Sequence, residues 1–158
     1  MIIIADSSPL VALAVCDCLG ILDKLFGEVC VSQTVYDEVT VGSKAGSAKL
    51  SHYLQGKVKE SRFDLHIIGG DTIDKGELTS IALYKYLNAD YLLIDEKAGR
   101  KIAQINQVTI IGSLGVLIEA KRKAIIPLLT PYIEILRSSK THFSEELLNY
   151  ALTVVGES

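Results

Sequence analysis

The chain has 158 residues, with 16 Lys or Arg against 19 Asp or Glu, so its formal charge at neutral pH is −3. A chain of this length forms one domain with a core of its own, and 49% hydrophobic residues at low net charge exclude a disordered protein. The acidic balance also excludes a protein that holds nucleic acid through bulk positive charge alone.

Apolar runs of strand length alternate along the chain with longer segments of helical period. We predict strands at residues 2–5, 29–31, 65–68, 91–94 and 109–111. We predict helices at 9–16, 20–26, 32–40, 47–55, 72–86, 96–105, 112–123, 127–138 and 144–155. This alternation predicts a parallel sheet covered by helices on both faces, the α/β class.

Three serines precede helical runs and are predicted to cap them. Ser8 stands before Pro9, as an N-cap does before proline at the first helical position. Ser32 and Ser144 stand in the same relation to later helices.

The domain organisation is predicted to be a single unit over residues 1–158. Within it, residues 124–158 form a helical C-terminal extension. The last helix carries an apolar stripe that must be covered, either by the domain itself, which is the default, or by a second copy in a homodimer.

The chain is expected to be cytoplasmic. The longest stretch without a formal charge, residues 102–118, is interrupted by polar residues and glycines, so no membrane span is expected. No secretory signal is visible, and three cysteines without paired spacing suit a reducing compartment.

Acidic residues follow two of the predicted strands. Asp6 comes directly after residues 2–5, and Asp95 comes directly after residues 91–94. Glu38 and Glu77 adjoin the apolar sides of two helices, where a carboxylate can point inward. Functional groups of a parallel sheet collect at the carboxyl ends of its strands, so the four carboxylates are expected to share a cavity.

Carboxylate oxygens without a matching His or Cys cluster favour Mg²⁺ or Mn²⁺ over zinc. A bound cation would also remove the repulsion between neighbouring carboxylates. Three of the four acids have a structural interpretation as well: Asp6 as a helix cap, Glu77 as an acid favoured in a first helical turn, and Glu38 as a surface residue.

Five stretches together resemble the PIN-domain nucleases, the family that includes VapC-type toxins, and more narrowly an uncharacterised prokaryotic subgroup of them. They are Ile-Ile-Ala-Asp-Ser-Ser-Pro-Leu-Val-Ala-Leu at 3–13, Val-Tyr-Asp-Glu-Val at 35–39, Gly-Glu-Leu-Thr-Ser-Ile-Ala-Leu at 76–83, Ala-Asp-Tyr-Leu-Leu-Ile-Asp-Glu-Lys-Ala-Gly-Arg at 89–100 and Ile-Gly-Ser-Leu-Gly-Val-Leu at 111–117. Each motif is short, and the specificity lies in their order and spacing.

The resemblance implies a three-layer α/β/α sandwich and a metal site made of Asp6, Glu38, Glu77 and Asp95. It implies cleavage of single-stranded or structured RNA, and it suggests a toxin with a protein antitoxin as partner. A catalytically idle domain that binds RNA or protein is the alternative. The chain departs from the common toxin pattern in having Glu77 where Asp is more frequent, and Glu96 next to Asp95 is a substitute for the fourth ligand.

Polar and basic residues near the predicted site are candidates for contacts with substrate phosphates. Ser7 and Ser8 lie at the start of the first helix, where backbone N–H groups favour anions. Lys97 and Arg100 share a face of the helix after Asp95, although a solvated helix face explains them equally well. Ser113, in the turn after the last predicted strand, is a weaker candidate.

Overall fold

Four parallel strands form the centre of the molecule. The computed structural model describes residues 1–42, 46–61, 66–139 and 142–158. These residues form one sheet with strands β1 (Ile2–Ala5), β2 (Glu28–Cys30), β3 (Tyr91–Leu93) and β4 (Ile110–Ile111). The strand order is β2-β1-β3-β4, and every neighbouring pair is parallel. The predicted parallel sheet is confirmed.

Nine α-helices surround the sheet in the described ranges. They are α1 (Ser7–Val15), α2 (Gly20–Phe26), α3 (Gln33–Thr40), α4 (Ser47–Tyr53), α5 (Lys75–Leu87), α6 (Lys97–Ile105), α7 (Ser113–Arg122), α8 (Thr130–Ser138) and α9 (Glu145–Val154). Each lies within two or three residues of a predicted helix at both ends. Among the described residues, no helix is long and apolar enough to cross a membrane.

Alternate residues of β1 enter two separate cores, one on each face of the sheet. Ile3 and Ala5 join the larger core, which also contains buried residues of α1, α2 and α7. Ile4 joins the smaller core, with buried residues of α5 and α6. Successive side chains of a strand point to opposite faces, so helices cover both faces and the expected three-layer α/β/α sandwich is confirmed.

The helices near the end of the chain extend the larger core. Helix α8 contacts α1, and α9 contacts both α7 and α8. Leu136 of α8 and Leu148 and Leu152 of α9 are buried in that core. The homodimer stays a prediction.

Two of the three predicted helix caps are confirmed. The Ser32 and Ser144 hydroxyls accept hydrogen bonds from the N–H groups of Val35 and Leu147, each at 3.1 Å. The prediction for Ser8 is wrong, because α1 begins one residue earlier, at Ser7, and Asp6 occupies the N-cap position. Proline is tolerated at the third helical position because its missing N–H would have no partner within the helix.

The predicted strand at 65–68 is wrong in its described part. Residue 65 lies outside the described residues, and residues 66–68 form a loop that enters a turn. The side-chain amide of Asn106 accepts a hydrogen bond from the backbone N–H of Ile68 and donates one to the Ile68 carbonyl, both at 2.9 Å. The backbone groups that would pair with a neighbouring strand are therefore satisfied by a side chain.

Candidate active site

The strand order reverses direction between β1 and β3, and this is where the acidic residues collect. From β1 the chain passes to β2 on one side of the sheet and later to β3 on the other. In such sheets the crevice beyond the carboxyl ends of the two strands is the usual ligand site. Asp6 extends β1 into it, and its N–H donates to the carbonyl of Leu93 on β3 at 2.9 Å.

Asp6 is almost completely buried, with 3% of its surface exposed. It occupies the N-cap position of α1, but within the described chain its carboxylate makes no capping hydrogen bond. Burial is the main reason why the pKa of its carboxyl rises from 3.8 to about 7. The carboxylates of Glu77, Asp74 and Glu38 raise this pKa further, although a hydrogen bond from the backbone of Ser7 lowers it. Capping therefore does not explain why this acid is buried.

Glu77 lies in the first turn of α5 and is 6% exposed. One carboxylate oxygen, Oε1, takes part in a capping box with Asp74, accepting its backbone N–H at 3.3 Å. The other oxygen, Oε2, is buried and has no hydrogen-bond partner among the described residues. Burial raises the pKa of Glu77 to about 7, and the charges of Asp74 and Glu96 add to the rise, partly offset by a hydrogen bond from the Asp74 backbone.

Glu38 reaches the same region from α3. Its Oε2 accepts a hydrogen bond of 2.5 Å from the hydroxyl of Ser7, and its charge raises the pKa of Asp6. Asp6 thus interacts electrostatically with Glu38, Glu77 and Asp74, and Glu77 interacts with Asp74 and Glu96.

Asp95 follows β3 but makes different contacts. Its two oxygens accept hydrogen bonds from the backbone N–H and the hydroxyl of Ser113, both at 2.8 Å. Nε2 of His142 lies 3.6 Å from Oδ2. Asp95 therefore caps α7 from a neighbouring strand, and Glu96 interacts electrostatically with Glu77. The choice of Asp95 as the fourth ligand stays a prediction.

Two glycines inside helices leave the space that the carboxylates occupy. A Cβ at Gly99 would lie 2.1 Å from Oε2 of Glu77, and one at Gly76 would lie 2.7 Å from Oε1 of Glu38. Both distances are far below van der Waals contact, so only glycine fits without moving the acid. None of the sequence predictions gives these glycines a role, although glycine inside a helix is a recognisable signal of close packing.

The predicted phosphate contacts fall into two groups. Ser7 and Ser8 are partly exposed at the start of α1, and Lys97 is exposed. Ser113, in contrast, is fully buried, and its hydroxyl is bound to Asp95. That geometry makes Ser113 a positioning residue for Asp95.

One cavity is lined by two of the candidate acids. It has a volume of about 700 Å³ and is lined by Asp95, Glu96, Lys97, Arg100 and His142 among others. Nη1 of Arg100 donates to the carbonyl of Ile94 at 2.9 Å, which fixes the guanidinium at the strand end.

The second cavity, of about 330 Å³, lies between α3 and α5 and is lined by Lys59 and Lys75 among others. No motif in the sequence marks either lysine, and His142 is one of three scattered histidines without a partner motif. Their positions beside the cavities depend on the folded chain.

The donor chemistry suits a hard divalent cation. Among the described residues, no three His, Cys, Asp or Glu side chains form a ready-made metal-binding group. Asp6, Glu38 and Glu77 offer only oxygen ligands, which Mg²⁺ and Mn²⁺ prefer. Oε2 of Glu77 is buried with no described hydrogen-bond partner. A buried oxygen left in that state costs free energy that a bound cation would recover.

The fold and the acidic crevice define a nuclease-type α/β protein. A family model described as "DUF3368: PIN domain" matches residues 2–157, nearly the whole chain. The chain belongs to the PIN-domain family, whose nucleases typically depend on divalent metals. No curated protein matches the chain.

Proposed function

We propose that the protein is a divalent-metal-dependent ribonuclease that hydrolyses RNA phosphodiester bonds with Mg²⁺ or Mn²⁺. The observation that carries this proposal is a pair of buried, interacting acids, Asp6 and Glu77, in which Oε2 of Glu77 has no described hydrogen-bond partner. Asp6 and Glu38 interact electrostatically with one another there. A site that served only to stabilise the fold would leave fewer buried acids near one another, because each costs free energy.

The residues that would hold the metal are Asp6, Glu38 and Glu77, completed by Asp95 or Glu96. When bound, a divalent ion supplies an activated water and stabilises negative charge on the phosphate. Without it, an acidic crevice would repel a polyanion.

The chain itself performs the remaining tasks. The Ser7 hydroxyl orients Glu38 by its hydrogen bond. Asp6, with a pKa of about 7, releases a proton from its carboxyl when the cation binds. Lys97 and Arg100, at the rim of the larger cavity, hold phosphates on one side of the cut.

Substitution of Asp6 tests the activity. Asp6→Asn resembles the protonated carboxyl in shape, so the fold is expected to survive, whereas metal-dependent cleavage of RNA is expected to disappear. Asp71→Asn is the matched control, because Asp71 is exposed in the turn before α5. If Asp6→Asn cleaved RNA at the rate of the unmodified protein, the proposal would be wrong.

Metal titration identifies the fourth ligand. We expect saturable Mn²⁺ binding, monitored by electron paramagnetic resonance, to weaken in either Asp95→Asn or Glu96→Gln but not equally in both. The variant with the greater loss marks the ligand. An absence of binding at millimolar Mn²⁺ in the unmodified protein would contradict the metal site.

A catalytically idle domain that binds RNA or protein is the second candidate. It is favoured by the structural contacts of two acids: Glu77 belongs to a capping box, and Asp95 caps α7. This candidate predicts RNA or protein binding that is unaffected by Mn²⁺ and by Asp6→Asn.

From the family resemblance we also propose a cytoplasmic toxin role, with a protein antitoxin as partner. Expression in a bacterial host is then expected to stop growth, and Asp6→Asn is expected to restore it. Growth arrest that persists with Asp6→Asn would argue against a toxic nuclease. A small reading frame beside the gene would supply the antitoxin.

A further inference from the structure

The larger cavity beside the carboxylates has a basic side and an apolar side. Helix α6 contributes Lys97 and Arg100, and the segment at the start of α9 contributes Phe143 and Leu147. Leu147 is 46% exposed although it is apolar. The volume of about 700 Å³ lies within the range of small-molecule sites.

An aromatic pair connects the apolar side with the candidate active site. The rings of His142 and Phe143 contact one another, with centroids 4.4 Å apart and planes inclined at 37°. Nε2 of the same histidine lies 3.6 Å from Oδ2 of Asp95. A flat apolar ligand against these rings would therefore lie next to Asp95.

We propose that this cavity holds one unpaired nucleotide of the substrate strand, with its base against Phe143 and its phosphate near Lys97 and Arg100. A nucleotide combines a flat apolar base with an anionic phosphate, which matches the two sides of the cavity. The inference rests on the proposed ribonuclease function and specifies its substrate as single-stranded at this position, because a paired base cannot present its face.

Binding measurements on two strands test the subsite. The unmodified chain serves as the starting protein, in Ca²⁺, which binds carboxylate oxygens as Mg²⁺ does but activates water poorly, so that RNA stays uncut during the measurement. Fluorescence anisotropy compares a labelled strand of about twelve uridines with the same sugar–phosphate backbone lacking bases. We expect the uridine strand to bind about tenfold more tightly.

Variants of the apolar side should remove this difference between the strands. We expect Phe143→Ala to bind both strands alike, and Phe143→Leu, which keeps most of the apolar volume, to do the same. Tyr150→Ala is the matched control, since Tyr150 is 65% exposed on α9 and does not line the cavity. It should retain the full preference.

Variants of the basic side should act differently. Lys97→Gln is expected to weaken the binding of both strands to the same degree. Lys101→Gln should weaken binding less, because Lys101 lies on the same helix but does not line the cavity.

The subsite is overturned if the starting protein binds both strands equally or binds neither, or if the Phe143 variants keep the preference. If the unmodified chain prefers the uridine strand but does not cut RNA, the proposed ribonuclease function is wrong and the proposed subsite stands. Cleavage of RNA by the unmodified chain, together with unchanged binding in the Phe143 variants, contradicts the subsite alone.

Discussion

Buried acids whose pKa values lie near neutrality are the distinguishing residues of this protein. Asp6 and Glu77 are 3% and 6% exposed, and each carboxyl has a pKa of about 7. At neutral pH each therefore holds a proton for part of the time. Cation binding must displace these protons, so metal affinity and pH are linked.

The pH dependence of stability follows from these shifts. Both pKa values are higher in the folded chain than in the unfolded chain, so the folded state binds more protons between about pH 4 and pH 7. The free energy of unfolding of the metal-free protein is then highest below pH 4 for these two groups and falls as pH rises through 7. We expect a fall of the order of 5 kcal/mol, about 2.5 kcal/mol for each group, measured by urea denaturation in EDTA at about pH 5 and about pH 8.

Asp6→Asn separates this effect from other titrations. The amide cannot ionise, so the variant should lose less stability over the same pH interval and be the more stable protein at about pH 8. The exposed control Asp71→Asn should follow the unmodified chain. Identical slopes for all three proteins would contradict the raised pKa of Asp6.

Gly99→Ala tests whether the glycine reserves space for Glu77. The added Cβ would meet Oε2 of Glu77 at 2.1 Å and Cδ1 of Ile94 at 2.7 Å. Overpacking costs about 1–3 kcal/mol, against about 1 kcal/mol that alanine contributes to a helix. We expect weaker Mn²⁺ binding and a small net loss of stability.

The control for Gly99→Ala is Gly20→Ala. Gly20 also lies in a helix, and a Cβ there would meet nothing within 4 Å. It should leave Mn²⁺ binding unchanged. Equal metal affinities in the two alanine variants would show that the close approach at Gly99 does not position the acid.

At the scale of elements, the bond between Asp95 and Ser113 joins the end of β3 to the start of α7. Ser113 is fully buried, and its hydroxyl donates to Oδ2 of Asp95. Ser113→Ala removes the hydroxyl that donates to Asp95 and keeps the hydrogen bond from the backbone N–H of residue 113. We expect a loss of about 1–3 kcal/mol in urea denaturation, together with slower RNA cleavage.

Ser138→Ala is the comparison for Ser113→Ala. The Ser138 hydroxyl is exposed and donates to the carbonyl of Glu134 within α8. A surface substitution of this kind changes stability by about 0.5 kcal/mol or less. A similar loss in both variants would mean that Ser113 contributes no more than a surface hydroxyl.

Hydrophobic periodicity predicted the elements better than their ends. The sheet and the helices follow from apolar runs and helical spacing, and Ser32 and Ser144 were recognisable as caps. The helical period alone predicts a start of α5 at residue 72, but Asp74 followed three residues later by Glu77 is the sequence signature of a capping box, and that box begins the helix at Lys75. The apolar run at 65–68 predicts a strand, and the sequence does not show that the Asn106 side chain accepts the backbone N–H of Ile68.

At the scale of the whole molecule, the site assembles from segments that are far apart in the chain. Strand-end placement was enough to predict that Asp6 and Asp95 lie at one edge of the sheet. The different partners of Asp95 and Glu96 were not predictable, because they depend on where α7 begins and on the segment around His142. The spaces at Gly76 and Gly99 likewise exist only once α3, α5 and α6 have packed.

The chain after α9 stabilises α8, and Glu157→Gln tests this. The Glu157 carboxylate accepts the N–H groups of Leu129 and Thr130 at 2.8 and 2.9 Å, and the Thr130 hydroxyl at 2.6 Å. Among the described residues, the start of α8 has no side-chain cap at its own N-cap position, so Glu157 supplies it. We expect Glu157→Gln to unfold at a lower temperature at about pH 7, because the charged acceptor is lost.

The size of this effect should depend on pH. The hydrogen bond from the Thr130 hydroxyl is the main reason why the pKa of Glu157 lies below its ordinary value of 4.5. The carboxylate therefore stabilises the fold above that value, and its contribution disappears as pH falls through the lowered pKa. The melting temperatures of the variant and the unmodified chain should converge in acid. Glu146→Gln, at an exposed position in the first turn of α9, should show little difference at either pH, and a constant gap between Glu157→Gln and the unmodified chain would contradict the assignment.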